Sequence, residues 1–160
     1  MIGTGHLLVG GAIGAAAATQ LPPPVAVPVA LGCGILSHHL LDLIPHTDAA
    51  TFWPGPRQRL PWSVSLLVAF EILLGLSLTG FFCFSLHTTL AFVAGALGGI
   101  LPDLLDEVPL WQERFRGTAL GSVWHRWHTR LHCADMANSW LTGVVIDALV
   151  VAGGVWLLLM

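Results

Sequence analysis

The sequence predicts an all-α, polytopic membrane protein with about five transmembrane helices, and three observations lead to this prediction. First, 55% of the 160 residues are hydrophobic, and the mean hydropathy is +0.78. Second, only 9% of the residues are charged, whereas about a quarter is usual in a soluble domain. Third, five apolar stretches approach the length of about 20 residues that a helix needs to cross a bilayer. Together these observations exclude a soluble globular enzyme.

The five helices are predicted from apolar runs that are separated by proline, glycine and charged residues. The first run is short, but it lacks a positively charged leading segment and carries His6, so we expect a helix rather than a signal peptide. Residues 107–137 form the long polar stretch, where we expect an interfacial helix and loop. The predicted transmembrane helices cover residues 5–20, 25–46, 63–86, 88–106 and 138–160.

The arginines predict the orientation of the chain, because positive residues are retained on the cytoplasmic side of a membrane. All six basic residues are arginines, and they lie in the 47–62 and 107–137 connections. Six of the seven tryptophans lie at or near helix ends on the same side, as in an aromatic belt. We therefore expect a bacterial-type inner membrane protein whose N-terminus and polar connections face the cytoplasm.

A polar motif occurs twice in the chain. Residues 34–45 read Gly-Ile-Leu-Ser-His-His-Leu-Leu-Asp-Leu-Ile-Pro, and residues 99–109 read Gly-Ile-Leu-Pro-Asp-Leu-Leu-Asp-Glu-Val-Pro. We therefore expect a single transmembrane domain over residues 1–160, with repeat halves of about 1–50 and 63–112. Each half is a helical hairpin, a fifth helix follows them, and the motif lies at the same membrane depth in both halves.

Histidines and carboxylates from three segments share that depth. His38 and Asp42 are four residues apart and lie on one helix face, as do Asp103 and Glu107. The third segment, residues 124–132, carries histidines spaced three and four apart, which also places them on one face. Imidazoles mixed with carboxylates suit zinc, manganese or iron, and the three cysteines show no metal-binding spacing.

Four short motifs resemble those of the membrane-bound metal-dependent hydrolases, also called LexA-binding inner-membrane-associated hydrolases. They are Gly-His-Leu-Leu at 5–8, Ser-His-His-Leu-Leu-Asp at 37–42, Leu-Pro-Asp-Leu-Leu-Asp at 101–106 and His-Arg-Trp-His-Thr at 125–129. In that family the Ser-His motif comes last, whereas here it comes second. The resemblance implies a metal-ligand set of His6, His38, Asp42, Asp103, Asp106 and His125.

The resemblance also extends to zinc-dependent phospholipases C, which implies phosphoester substrates. We therefore expect a metal-dependent hydrolase that cleaves a membrane lipid or lipid-linked phosphoester, with zinc as the first expectation and manganese or iron as the others. Glu107 or Asp48 would accept the proton, and Arg126 would assist catalysis. Arg126, Arg130 and His128 would bind the substrate.

Partners and rival functions follow from the remaining residues. A net charge of −3 predicts no binding to nucleic acid, and assembly of several copies into a homo-oligomer stays open. Glu71 and Asp147 lie mid-helix, where acids either mark a transport pathway or hydrogen-bond neighbouring helices. The alternatives are therefore a small ion- or solute-transporting protein and a tethering protein without chemistry.

Overall fold

The computed structural model describes residues 3–47, 52, 61–86, 89–108, 110–132 and 140–160. Within these residues the chain is all-helical, as predicted, and forms seven helices without a strand. The helices are α1 (Gly3–Gln20), α2 (Pro23–Asp42), α3 (Trp62–Leu86), α4 (Thr89–Asp106), α5 (Gln112–Arg116), α6 (Ala119–Leu131) and α7 (Trp140–Leu159).

Three helices among the described residues are long and apolar enough to cross a membrane, fewer than the five predicted. They are α2, residues Trp62–Ser85 of α3, and α7. The other two long helices, α1 and α4, have 18 residues each. At about 1.5 Å per residue such a helix is about 27 Å long, slightly shorter than the hydrocarbon core of about 30 Å.

The central position of α1 explains its mild hydropathy. It packs against α2, α3, α4 and α7, and half of its residues are buried. A helix surrounded by other helices needs small residues for close approach rather than large apolar ones for lipid contact. A Cβ atom on Gly95 would overlap the carbonyl oxygen of Gly10, and one on Gly99 would overlap that of His6. These contacts hold the start of α1 tightly against α4.

The second helix ends at Asp42, four residues before the predicted end at residue 46. Pro45 accounts for the difference, because the residue before a proline is disfavoured in helical conformation. His46 and Thr47 therefore lie in a non-helical segment after the helix, and both are fully buried. Because this segment is not helical, its backbone can run along the neighbouring helices.

The polar stretch after α4 forms the two short helices α5 and α6, in line with the predicted helix and loop as far as residue 132. Thr118 caps the start of α6, and its hydroxyl accepts a hydrogen bond from the backbone N–H of Gly121 at 2.9 Å. The sixth helix contacts the ends of both α2 and α4. It thereby brings a histidine face against the two copies of the repeated motif.

Candidate metal centre

The two helices that carry the repeated motif pack together and end in carboxylates. Asp42 is the last residue of α2, and Asp106 is the last residue of α4. Helix C-termini carry partial negative charge, so carboxylates at these positions are unfavourable without a nearby cation. Asp103 adds a third carboxylate one turn before the end of α4. The site therefore concentrates negative charge where both acidic helix ends, Asp42 and Asp106, are buried.

Four donor atoms from three helices lie close to one another in this site. Nε2 of His38 lies 3.0 Å from Oδ2 of Asp42 and 3.5 Å from Oδ1 of Asp103. Nε2 of His128 lies 3.4 Å from each of the same two oxygens. The two Nε2 atoms are 3.3 Å apart. Four ligands placed tetrahedrally at about 2.0–2.1 Å from zinc are about 3.3–3.4 Å from one another, so these separations fit a metal site.

The second nitrogen of each histidine fixes the orientation of its ring. Nδ1 of His38 donates a hydrogen bond to the carbonyl oxygen of Gly99 at 2.8 Å. Nδ1 of His128 donates to Oδ2 of Asp106 at 3.0 Å. Both Nε2 atoms therefore present lone pairs to each other, an arrangement that needs a proton or a cation between them. Ligand histidines in metalloproteins are held by the same kind of contact.

His6 brings a further nitrogen to this group. Its Nε2 lies 3.2 Å from Oδ1 of Asp42, and the two side chains are only 0% and 1% exposed. Among the described residues, neither ring nitrogen of His6 and neither carboxylate oxygen of Asp42 has a hydrogen-bond partner. The nearby nitrogens and oxygens are within ion-pair distance but lack hydrogen-bond angles. Since buried polar atoms are normally satisfied, these atoms fit a metal-ligand role.

Asp106 contacts Nδ1 of His128, on the opposite side of the ring from the other donors. Its Oδ2 also accepts a hydrogen bond from Nδ1 of His125 at 2.8 Å, and its Oδ1 accepts one from Nε of Arg116 at 2.8 Å. The carboxylate thereby orients His128 and is itself held by Arg116. His125, which the motif resemblance placed in the ligand set, contacts this carboxylate and is 37% exposed. The structure brings His128 into the donor group.

Glu107 lies at the edge of the site, next to Asp106. Its Oε1 is 3.5 Å from Nη2 of Arg116. Donor atoms of Glu107, Asp106 and His128 lie within 4.8 Å of one another. Its side chain is 31% exposed, so it can exchange protons with water.

The remaining predicted residues lie further out. Arg126 and Arg130 are exposed on α6, four residues apart and therefore on one face of that helix. Asp48, the other expected proton acceptor, lies outside the described residues. These arginines present positive charge on the exposed face of α6.

Two histidines without an assigned role in the sequence lie close to Asp42. Nε2 of His46 and Nε2 of His132 are 3.3 Å apart, and donor atoms of both residues and of Asp42 lie within 4.8 Å of one another. The spacing of His132, four residues after His128 on the same helical face, was the available signal. His46 had no such signal, because it follows the end of α2.

The mid-helix acid of α3 holds the start of α1. Oε1 of Glu71 accepts hydrogen bonds from the backbone N–H of Thr4 at 2.5 Å and from its hydroxyl at 2.6 Å. The first N–H groups of a helix have no partner within the helix, so the carboxylate satisfies one of them. Thr4 precedes His6 by two residues, and Glu71 thereby positions that ring.

The mid-helix acid of α7 performs the same task for the segment after α2. Oδ2 of Asp147 accepts hydrogen bonds from the backbone N–H of Thr47 at 3.2 Å and from the Thr47 hydroxyl. Thr47 directly follows His46, so the contact fixes the position of that histidine as well. Both acids bind chain segments that carry site histidines.

The electrostatic surroundings of His128 and His46 differ. Burial lowers the pKa of His128, but the adjacent carboxylate of Asp42, the charge of Asp103 and the hydrogen bond with Asp106 outweigh burial, so the pKa is raised above 6.5. Burial dominates at His46 and lowers its pKa below 6.5. His46 is therefore neutral near pH 7 and can offer a lone pair.

Comparisons of the chain with protein-family models, curated proteins and solved structures find no match. The fold and the site therefore define its class. Over the residues that the structure describes, the chain is all-helical, and three of its helices could cross a membrane. Its buried histidine and aspartate groups could hold a metal ion.

Proposed function

We propose that the protein is a membrane-embedded, metal-dependent hydrolase whose zinc ligands are His38, Asp42, Asp103 and His128. The observation that carries the proposal is the set of donor separations between 3.0 and 3.5 Å. Two carboxylates and two imidazoles suit zinc, and manganese or iron would accept the same donors. His6, beside the carboxylate of Asp42, offers an additional nitrogen.

A divalent ion held by these four donors would have to take water as a fifth ligand, and it would then lower the pKa of that water toward about 7 and polarise the bond under attack. The exposed fractions of the side chains indicate the side from which water and substrate arrive. Asp103 is 26% exposed, whereas His38 and His128 are 0% and 3% exposed. Glu107 follows Asp103 by one helical turn and shares this open side. Its carboxylate is therefore placed to accept the proton of the attacking water.

Three exposed residues of α6 support a proposal for the substrate class. Arg126 and Arg130 are exposed on α6, the helix that carries His128, and their guanidinium groups suit phosphate oxygens. Trp127 on the same helix is 59% exposed, and an indole ring of this kind suits the headgroup region of a bilayer. We therefore propose a lipid or lipid-linked phosphoester as substrate. The proposed location is the cytoplasmic face of a bacterial-type inner membrane.

Hydrolysis by purified protein in lipid nanodiscs tests the proposal. A panel of lipid phosphoesters is incubated with zinc-loaded protein, and the released products are measured by mass spectrometry. We expect that a chelator abolishes hydrolysis, that zinc restores it, and that Asp103→Asn loses activity and zinc together. Glu113→Gln, which removes one exposed acid from α5, serves as the matched control. Hydrolysis that persists after complete metal removal would contradict the proposal.

The transporter alternative has less support. Its main argument was the presence of Glu71 and Asp147 in the middle of apolar helices, but these acids bind Thr4 and Thr47. We expect the wild-type, Glu71→Gln and Asp147→Asn proteins in liposomes all to show the same ion flux as protein-free liposomes. A wild-type flux that either substitution abolishes would favour transport.

A further inference from the structure

A second group of donors adjoins the proposed zinc site. His46 and His132 face each other with their Nε2 atoms 3.3 Å apart, and donor atoms of both residues and of Asp42 lie within 4.8 Å of one another. The separation equals that between Nε2 of His38 and Nε2 of His128. Asp42 is thus the residue common to both groups.

The ring of His46 is prepared to bind a cation. Its Nδ1 donates a hydrogen bond to the carbonyl oxygen of Ile44 at 2.7 Å, so Nε2 carries a lone pair that faces His132. The side chain of His46 is fully buried. A buried imidazole held in one tautomer beside a second imidazole and a carboxylate has the donor chemistry of a zinc ligand.

The surrounding helices fix the segment that carries His46. The hydrogen bonds between Asp147 and Thr47 attach it to α7. Gly143 permits this approach, because a Cβ atom there would lie 2.6 Å from Cγ2 of Thr47 and 3.1 Å from the carbonyl carbon of His46. Asp147 therefore acts as a positioning residue for the segment that carries His46. Neither transport nor the first site requires this role.

We infer that His46, His132 and the carboxylate of Asp42 hold a second divalent cation of the zinc class, so that the centre is binuclear. The inference rests on the proposed function, because Asp42 also belongs to the first site. Two-metal centres are typical of enzymes that cleave phosphoesters, which agrees with the proposed substrate class. Asp42, the shared ligand, is required by both ions, whereas His46 and His132 serve the second ion alone.

Counting zinc in the purified protein tests the inference. Full-length protein is saturated with zinc chloride and freed of excess metal. Zinc per chain is then measured by inductively coupled plasma mass spectrometry. We expect two zinc ions in the wild type, one in His46→Gln and in His132→Ala, one in His38→Ala, and none in Asp42→Ala. Ser122→Ala is the control on α6 and is expected to keep two ions, because its hydroxyl donates a hydrogen bond to the backbone carbonyl oxygen of Ala119.

The outcomes separate the inference from the proposed function. A wild-type count of one, lost in His38→Ala and unchanged in His46→Gln, would overturn the second site and leave the first intact. A wild-type count of zero would overturn both. A count of two that survives His46→Gln and His132→Ala would also overturn the inference. Circular dichroism and gel filtration verify the fold of each variant, and the wild-type count decides even where a variant fails to fold.

Discussion

Nδ1 of His128 donates a hydrogen bond to Oδ2 of Asp106 at 3.0 Å, and this contact turns Nε2 of the same ring toward His38 and Asp42. The hydrogen bond thereby links two residues for which the sequence predicted different roles. His128, expected to bind substrate, supplies a donor atom to the proposed zinc site. Asp106, expected to bind the metal, orients that donor.

The substitution Asp106→Asn should weaken zinc binding without abolishing it. The amide keeps the shape of the side chain but loses the negative charge. That charge strengthens the hydrogen bonds that the carboxylate accepts from His128 and Arg116. Loss of a carboxylate behind a ligand histidine typically costs about 10–100-fold in metal affinity. Competition with a chromophoric chelator measures the change, and Glu113→Gln on α5 is the control for loss of one acid. Unaltered affinity in Asp106→Asn would show that this contact does not orient a ligand.

Gly99→Ala should destabilise the protein and impair metal binding. Its new Cβ atom would overlap the carbonyl oxygen of His6, and the carbonyl of residue 99 accepts the hydrogen bond from His38. Overpacking of this kind typically costs about 1–3 kcal/mol. Thermal unfolding in detergent and zinc content measure the two effects.

Gly32→Ala is the control for Gly99→Ala. Gly32 lies on α2, and a Cβ atom there would meet no atom within 4 Å. Alanine is favoured over glycine in a helix by about 1 kcal/mol, so this variant should be as stable as the wild type or more stable. Equal unfolding temperatures for the two variants would argue against tight packing of α1 on α4.

Glu71→Ala should lower the free energy of unfolding by about 1–3 kcal/mol, the usual cost of leaving a buried polar group without its partner. The group affected is the backbone N–H of Thr4, which is 1% exposed. Denaturant or thermal unfolding measures the loss, and Ser77→Ala on the exposed face of α3 is the control. If the Glu71→Ala protein were as stable as the Ser77→Ala protein, Glu71 would not position the start of α1.

Zinc binding should release protons, and apparent zinc affinity should fall as the pH is lowered. Because the pKa of His128 is raised, its ring in the metal-free protein keeps the second proton, which makes it cationic, to higher pH than an ordinary histidine does. Zinc must displace this proton. Calorimetry in two buffers of different ionisation enthalpy measures the number of protons released. An affinity that stays constant from pH 8 to pH 6, without proton release, would exclude His128 as a ligand.

Local spacing in the sequence anticipated part of this site. His38 and Asp42, four residues apart on one helix, have donor atoms 3.0 Å apart in the structure. The choice among the histidines of α6 could not be made in the same way, because His125, His128 and His132 share one helical face. Packing of α6 against α2 and α4 decides which ring enters the donor group, and that packing leaves no periodic signal.

Long-range contacts account for the other differences. Thr4 and Glu71 are 67 residues apart, and Thr47 and Asp147 are 100 residues apart, so no local pattern pairs them. The length of an apolar run also does not distinguish a helix enclosed by other helices from one that faces lipid. The prediction of five transmembrane helices therefore counted α1, whose glycines and alanines serve packing inside the bundle.

Anomalous X-ray diffraction at the zinc edge tests the metal site most directly. Crystals of the wild-type protein soaked in zinc chloride should show an anomalous peak within about 2.0–2.1 Å of Nε2 of both His38 and His128. The carboxylates of Asp42 and Asp103 should contact the same peak. An anomalous map without a peak among these atoms, at zinc concentrations that saturate other sites, would show that the four side chains form only hydrogen bonds and ion pairs.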